Sequence, residues 1–142
     1  MWLKRSRIMK EFHLQIVTPD GIRFDGDAQS LLIKCEMGDI EVLAGHTDYF
    51  SSLGIGRARI KTAEGARMAS AAGGFLSVSG GEVKVVATTF EYADEIDVSR
   101  ARASKERAEE KIKDAKDAAE LEAAKLKLMR ALNRIKVAEL NQ

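Results

Sequence analysis

The sequence predicts a two-part α+β chain: an all-β sandwich over residues 11–90, a junction over 91–97, and a C-terminal α-helical antiparallel hairpin over 98–142. Three observations carry that reading. All 11 glycines fall between Gly21 and Gly81. Every Phe, Tyr and Trp stands at or before Tyr92, and residues 82–142 hold neither Gly nor Pro. Apolar alternation broken by turn residues gives way after Asp97 to apolar spacings of three and four, a change of period from 2 to about 3.6.

Phe12, Leu14 and Ile16 alternate with His13, Gln15 and Val17, and Pro19-Asp20-Gly21 then supplies a turn. Pro presets φ and Gly admits a positive one. Short strands follow at Ile22–Asp25, Leu31–Lys34 and Ile40–Leu43, broken by Gly26-Asp27 and by Met37-Gly38-Asp39. Arg57–Thr62 and Ala66–Ala71 flank Ala63-Glu64-Gly65, and Phe75–Val78 and Val83–Thr88 flank Ser79-Gly80-Gly81. These are hairpin loops, and hairpins at close intervals point to a sandwich or barrel. A chain cut after Thr89 is expected to keep its sandwich.

Asp97 is placed to cap the first helix, accepting from amides of its first turn. Val98, Ala101, Ala108, Ile112 and Ala115 give that helix a thin apolar stripe, and Asp114 to Asp117 interrupts the pattern. Leu121, Ala124, Leu128, Ala131, Ile135 and Ala138 then form the seam of an antiparallel pair. A second stripe, Leu126, Met129, Leu132, Val137 and Leu140, makes the second helix apolar beyond one seam. Full burial of each large side chain is worth about 1.5 to 3 kcal/mol, so this helix is expected to bury itself against the sandwich or a partner. The alanine-lined seam buries little, which makes the helix pair marginal alone and a movable element plausible.

Composition and charge exclude several classes. The net charge of +1 conceals a division: +4 over residues 1–10, −7 over 11–98 and +4 over 99–142. An acidic body with basic ends is a poor nucleic-acid binder. No apolar run reaches the roughly 18 residues of a membrane span, and the start lacks the apolar core of a secretory signal, so a soluble chain without direct membrane insertion is expected. One cysteine and two histidines cannot build a structural zinc site. No phosphate loop or dinucleotide fingerprint is present, and Gly54-Ile55-Gly56 lacks the remaining spacing. Neither His13 nor His46 has a motif partner, and no serine sits in a nucleophile elbow. No catalytic group, metal site or required cofactor is therefore expected.

One constellation stands out at the junction. Glu91, Asp94, Glu95 and Asp97 precede Arg100, Arg102 and Arg107 on the first helix, with Arg130 and Arg134 on the second. With the hairpin turn near residue 116, facing positions sum to about 232, which sets Arg100 opposite residue 132 between Arg130 and Arg134. Three converging guanidiniums can hold a polyphosphate, with Asp97 or Glu91 free to accept from a sugar or an adenine amino group. The alternative is that these arginines neutralise the four acids beside them.

The chain resembles the epsilon subunit of bacterial F-type ATP synthases along almost all of residues 11–140. The stretches that carry the likeness are F-H-L-Q-I-V-T-P-D-G at 12–21, G-D-I-E-V-L-A-G-H at 38–46, G-G-F-L-S-V at 73–78 and I-D-V-S-R-A at 96–101. S-K-E-R-A-E at 104–109 and M-R-A-L-N-R-I-K-V-A-E at 129–139 complete the order. The resemblance implies a non-catalytic rotor subunit. It couples the gamma subunit and the c ring to the catalytic head during synthesis driven by the proton motive force, peripherally at the cytoplasmic face of the cell membrane. It also implies a mobile hairpin that permits turnover when folded down and inhibits ATP hydrolysis when extended into the alpha/beta hexamer. In members that bind ATP as a regulatory ligand, an I/L-D-x-x-R-A motif contributes. Here Ile96, Asp97, Arg100 and Ala101 complete it, with Glu91, Arg107, Arg130 and Arg134 at the matching positions nearby. Asp39 matches an acidic position turned toward the c ring, and His46 is placed beside it in the contact surface for the c ring or gamma. Glu41 and Ala44 replace residues that are usually glycine and proline, so a local backbone difference is expected. Residues 1–8 precede the usual family start and are read either as untranslated sequence before Met9 or, together with residues 9 and 10, as a disordered basic tail. The competing class is a free-standing nucleotide-sensing binding module, which co-purification with gamma would exclude.

Overall fold

The computed structural model describes residues 10–140, so the disordered extension expected at 1–10 lies, apart from Lys10, outside the described residues. Seven strands come first: β1 (Phe12–Thr18), β2 (Gly21–Ala28), β3 (Ser30–Cys35), β4 (Gly38–Leu43), β5 (Tyr49–Thr62), β6 (Gly65–Ser79) and β7 (Glu82–Tyr92). They form one sheet in the order β2-β1-β7-β6-β5-β3-β4, antiparallel throughout except for the β1–β7 pair. The sheet folds over on itself. Leu14 and Ile16 near one edge share a single core with Leu31, Ile33 and Val42 near the other, all of them fully buried. That closure is the sandwich the alternation predicts.

Two strands are longer than the sequence pattern indicates. β5 begins at Tyr49 rather than Arg57, and β6 runs unbroken where two strands, 66–71 and 75–78, are expected. Glycines inside these strands mark bends in continuous chain. Gly73 and Gly74 have φ of +73° and +89°. A Cβ at Gly74 would stand 1.7 Å from the Val86 carbonyl oxygen, so only glycine lets β6 turn there against β7. β7 likewise continues to Tyr92, two residues into the expected junction. The reason is burial: Phe90 and Tyr92 pack edge to face in the core, and the Tyr92 hydroxyl donates to the Arg23 carbonyl at 2.8 Å.

Between β2 and β7, His13 on β1 joins three strands. Its Nε2 lies 2.7 Å from Asp25 on β2 and its Nδ1 2.7 Å from Glu82 on β7. Bonds to Asp25 and then Glu82 hold the imidazole above its ordinary pKa, and the bond from His13 holds the Asp25 carboxyl below its own. The histidine contribution is therefore complete below about pH 6.5 and is lost as pH rises through the raised value. The Asp25 contribution is present above the ordinary carboxylate range and is lost as pH falls through the depressed value. Titration of the His13 ring by NMR should give a pKa above that of a model peptide, and Glu82→Gln should lower it. An unshifted ring would show that the clamp does not form.

The helical part follows a single 3-10 turn at Ala93–Glu95 and consists of α1 (Val98–Asp114) and α2 (Ala118–Leu140). Asp97 caps α1 as expected, its Oδ1 accepting from the Arg100 amide at 3.0 Å. Asp117 caps α2 in the same way, accepting from the Glu120 amide at 2.8 Å. Ala101 and Ala108 of α1 and Ala124, Ala131 and Ala138 of α2 are the buried small residues along the pair. α2 docks on β5 and β6, and a small second core forms from Ala93, Ile96, Val137 and Ala138 with Met68 and Val98 against it. None of the described helices is long and apolar enough to cross a membrane.

The second apolar stripe is not buried as expected. Val137 is fully enclosed, but Leu126, Met129, Leu132 and Leu140 remain 41 to 51% exposed. α2 turns Asn133, Arg134 and Val137 toward the sandwich, and a helix can press only part of a wide apolar face on one flat neighbour.

Candidate functional site

A cavity of about 430 Å³ opens where α2 meets the sandwich. Arg130 and Arg134 line it from α2, Glu91 and Thr89 from β7, Ser70 from β6, and Arg23 from β2. Helical spacing explains the first pair, since residues four apart share a face. Arg134 is already engaged: Nη2 donates to Glu91 Oε2 at 3.0 Å, and Nε lies 2.7 Å from Oε1. Beside it, the Asn133 amide donates to the Gly56 carbonyl at 2.9 Å and to Ser70 Oγ at 2.8 Å. These contacts and the second core fasten the hairpin to the sandwich.

Two of the four junction acids, Asp94 and Glu95, find partners that the sequence reading did not assign. Asp94 pairs with Arg67 at 3.5 Å, and Glu95 pairs with Arg23 while also accepting from the Tyr92 amide at 3.0 Å. Asp97 is spent on its cap. Only Glu91 takes an arginine from the hairpin, so the neutralising alternative holds for one pair of the set. Among the described residues, no ion pair involves Arg100, Arg102, Arg107 or Arg130.

Of the motif residues, the structure brings Glu91, Arg130 and Arg134 into one cavity. Ile96, Asp97, Arg100, Ala101 and Arg107 do not line it. Ile96 and Ala101 are buried in packing contacts, Arg100 is exposed, and Arg107 donates to Ser104 Oγ at 3.1 Å. The convergence expected of Arg100 with Arg130 and Arg134 is therefore corrected: the third guanidinium of the cavity is Arg23. α1 packs mainly against α2. Arg23 escaped the sequence reading because its neighbours are distant in the chain. Its one signal is that it is the only cation between Glu11 and Ile33, in a stretch with Asp20, Asp25 and Asp27.

Asp39 and His46 stand at opposite ends of β4, with about 13 Å of extended strand from Asp39 to Leu43. Asp39 lies 4.0 Å from Arg57, while His46, in the turn after β4, contacts the Thr47 carbonyl at 2.7 Å and the edge of Tyr49. Glu41 sits in regular β4 opposite Leu32 and needs no glycine-only conformation. Cys35 is buried, and burial raises its pKa, which keeps the thiol protonated and inert.

The fold is a β-sandwich with a docked helical hairpin and an arginine-lined cavity at their seam. The beta-sandwich domain of ATP synthase delta/epsilon chains matches residues 11–93, and the long alpha-helix domain of the same chains matches residues 94–139. The ATP synthase epsilon chain of Bacillus velezensis is 38% identical over 130 residues, covering 92% of this chain and 98% of that one. The epsilon chain of Ruminococcus albus is 38% identical over 131 residues, with 92% and 98% covered. Among solved structures, a chain of the Euglena gracilis mitochondrial ATP synthase OSCP/F1/c-ring assembly superposes with a TM-score of 0.78 at 20% identity. It covers 94% of this chain and 83% of the other. The chain belongs to the family of ATP synthase epsilon chains.

Proposed function

We propose that the chain is a non-catalytic rotor subunit whose hairpin is an ATP-sensitive brake on hydrolysis. It joins gamma and the c ring to the catalytic head during proton-driven synthesis, peripherally at the cytoplasmic face of the cell membrane, with Asp39 and His46 turned toward the c ring or gamma. The observation that carries the regulatory part is the position of the cavity. Arg130 and Arg134 come from the hairpin and Glu91 from the sandwich, so a ligand held by all three binds the docked conformer alone. Asp97 at the cap of α1 and Arg100 and Arg107 along it do not line the cavity, and they join the same ligand only through a shift of α1.

The magnitudes suit a switch. Docking rests on the small core around Val137 and Ile96, at about 1.5 to 3 kcal/mol for each fully buried large side chain, a few hydrogen bonds at about 1 kcal/mol each and one partly exposed ion pair. Ordering the hairpin opposes these gains. ATP at a hundred times its dissociation constant adds about 2.7 kcal/mol to the state that binds it, enough to decide a balance of that size. The four half-exposed apolar side chains of α2 leave a face for a second resting place against the alpha/beta hexamer.

The test is thermal melting of the full chain with a distance probe between β6 and α2. Millimolar ATP should raise the melting temperature and shorten the mean distance. Melting and distance that do not respond to ATP would remove the brake, while co-purification with gamma would still test the rotor role.

A further inference from the structure

We propose that Arg23 is a direct phosphate ligand of this site, so that a bound nucleoside triphosphate bridges the hairpin to β2 as well as to β7. The assignment rests on the ATP reading above and extends it to a residue that the motif does not contain. Arg23 lines the cavity together with Arg130 and Arg134. The Nε of Arg23 is buried without a hydrogen-bond partner, whereas that of Arg134 is held 2.7 Å from Glu91 Oε1. A buried donor left unmade is costly, and an oxyanion satisfies it.

The guanidinium is also held in place. It lies 5.3 Å from the centre of the Tyr92 ring, and the Arg23 carbonyl accepts from the Tyr92 hydroxyl, so backbone and side chain are fixed by the same aromatic residue. Glu95 is the anion on Arg23, as Glu91 is on Arg134. Each carboxylate occupies one guanidinium face, in the way that a phosphate would. Binding is then an exchange: the triphosphate takes over Arg23 and Arg134 and reaches Arg130, the one arginine of the three with no ion pair among the described residues. A planar guanidinium can pass from a carboxylate to a phosphate without changing its own geometry.

The competition distinguishes a ligand from a structural strut. Calorimetry on the full chain measures ATP and inorganic triphosphate binding to the unsubstituted protein, Arg23→Gln and Glu95→Gln, with the melting temperature of each as a fold check. Arg23→Gln should weaken both ligands by at least about tenfold. Glu95→Gln, which frees Arg23 from its competitor, should bind as tightly or more tightly. If the two variants lose affinity alike, the pair only braces the junction and the assignment fails. It fails equally if Arg23→Gln binds as the parent does, or if triphosphate binding is insensitive to the change. An unsubstituted chain that binds no ATP removes the site itself, a result separate from any difference between variants.

Discussion

Gly74→Ala is expected to prevent folding of the sandwich or to cost at least roughly 4 kcal/mol, an effect few single substitutions reach. Two independent penalties act at this position. Its φ of +89° is outside the range an L-residue with a Cβ adopts comfortably, which costs roughly 1 to 2 kcal/mol. The added Cβ would also meet the Val86 carbonyl oxygen at 1.7 Å and the Ala87 Cα at 3.0 Å, and both are backbone atoms of a central strand. Relief requires β6 and β7 to part at the bend, which breaks the ladder from Gly74–Ala87 outward. Gly80→Ala separates the two penalties. Gly80 has φ of +56° but nothing within 4 Å of the added Cβ, so it should lose only about 1 kcal/mol. Urea unfolding followed by far-ultraviolet circular dichroism checks both. Similar midpoints for the two variants would show that β6 and β7 move apart cheaply at the bend.

The same glycines show how much the chain discloses of itself. Alternation at Phe12, Leu14 and Ile16 and the cap at Asp97 are local, and local physics decides them. The reach of β5 and β6 is not local. Gly54 and Gly73-Gly74 carry the composition of breaks, and only the opposing strand turns them into bends. The candidate site divides on the same line. Arg130 and Arg134 are four apart on one helix and can be paired from spacing. Arg23 joins them because Tyr92, 69 residues away, holds its backbone. The second stripe of α2 failed as a burial signal for a related reason: periodicity reports how wide an apolar face is, and the neighbour decides how much of it is covered. The acids misled as a group, because carboxylates close in sequence reach different elements: Glu91 the second helix, Asp94 and Glu95 two strands, and Asp97 its own helix cap.

Where the chain is cut decides whether the brake can be tested at all. A chain ending at Thr89 loses Phe90 and Tyr92, which are 3% and 5% exposed in the core. Removing a buried aromatic costs about 3 to 5 kcal/mol, so losing both approaches the whole 5 to 15 kcal/mol of an ordinary domain. That cut should give an unfolded sandwich, contrary to what the strand pattern alone suggests. Ending the chain at Glu95 keeps both rings, the Arg67–Asp94 and Arg23–Glu95 pairs and the Tyr92–Arg23 bond. It gives up only Ile96, whose packing partner Val137 leaves with the hairpin. The shorter cut should therefore lack a cooperative urea transition, and the longer one should keep the transition of the sandwich. Rebuilt into the ATP synthase, the chain ending at Glu95 should join the complex and leave ATP hydrolysis several-fold faster than the full chain does at low ATP. If it restrains hydrolysis as strongly as the full chain, the brake is not in the hairpin. Because the sandwich surfaces remain complete in that variant, failure to assemble would instead place part of the gamma contact on α1 or α2.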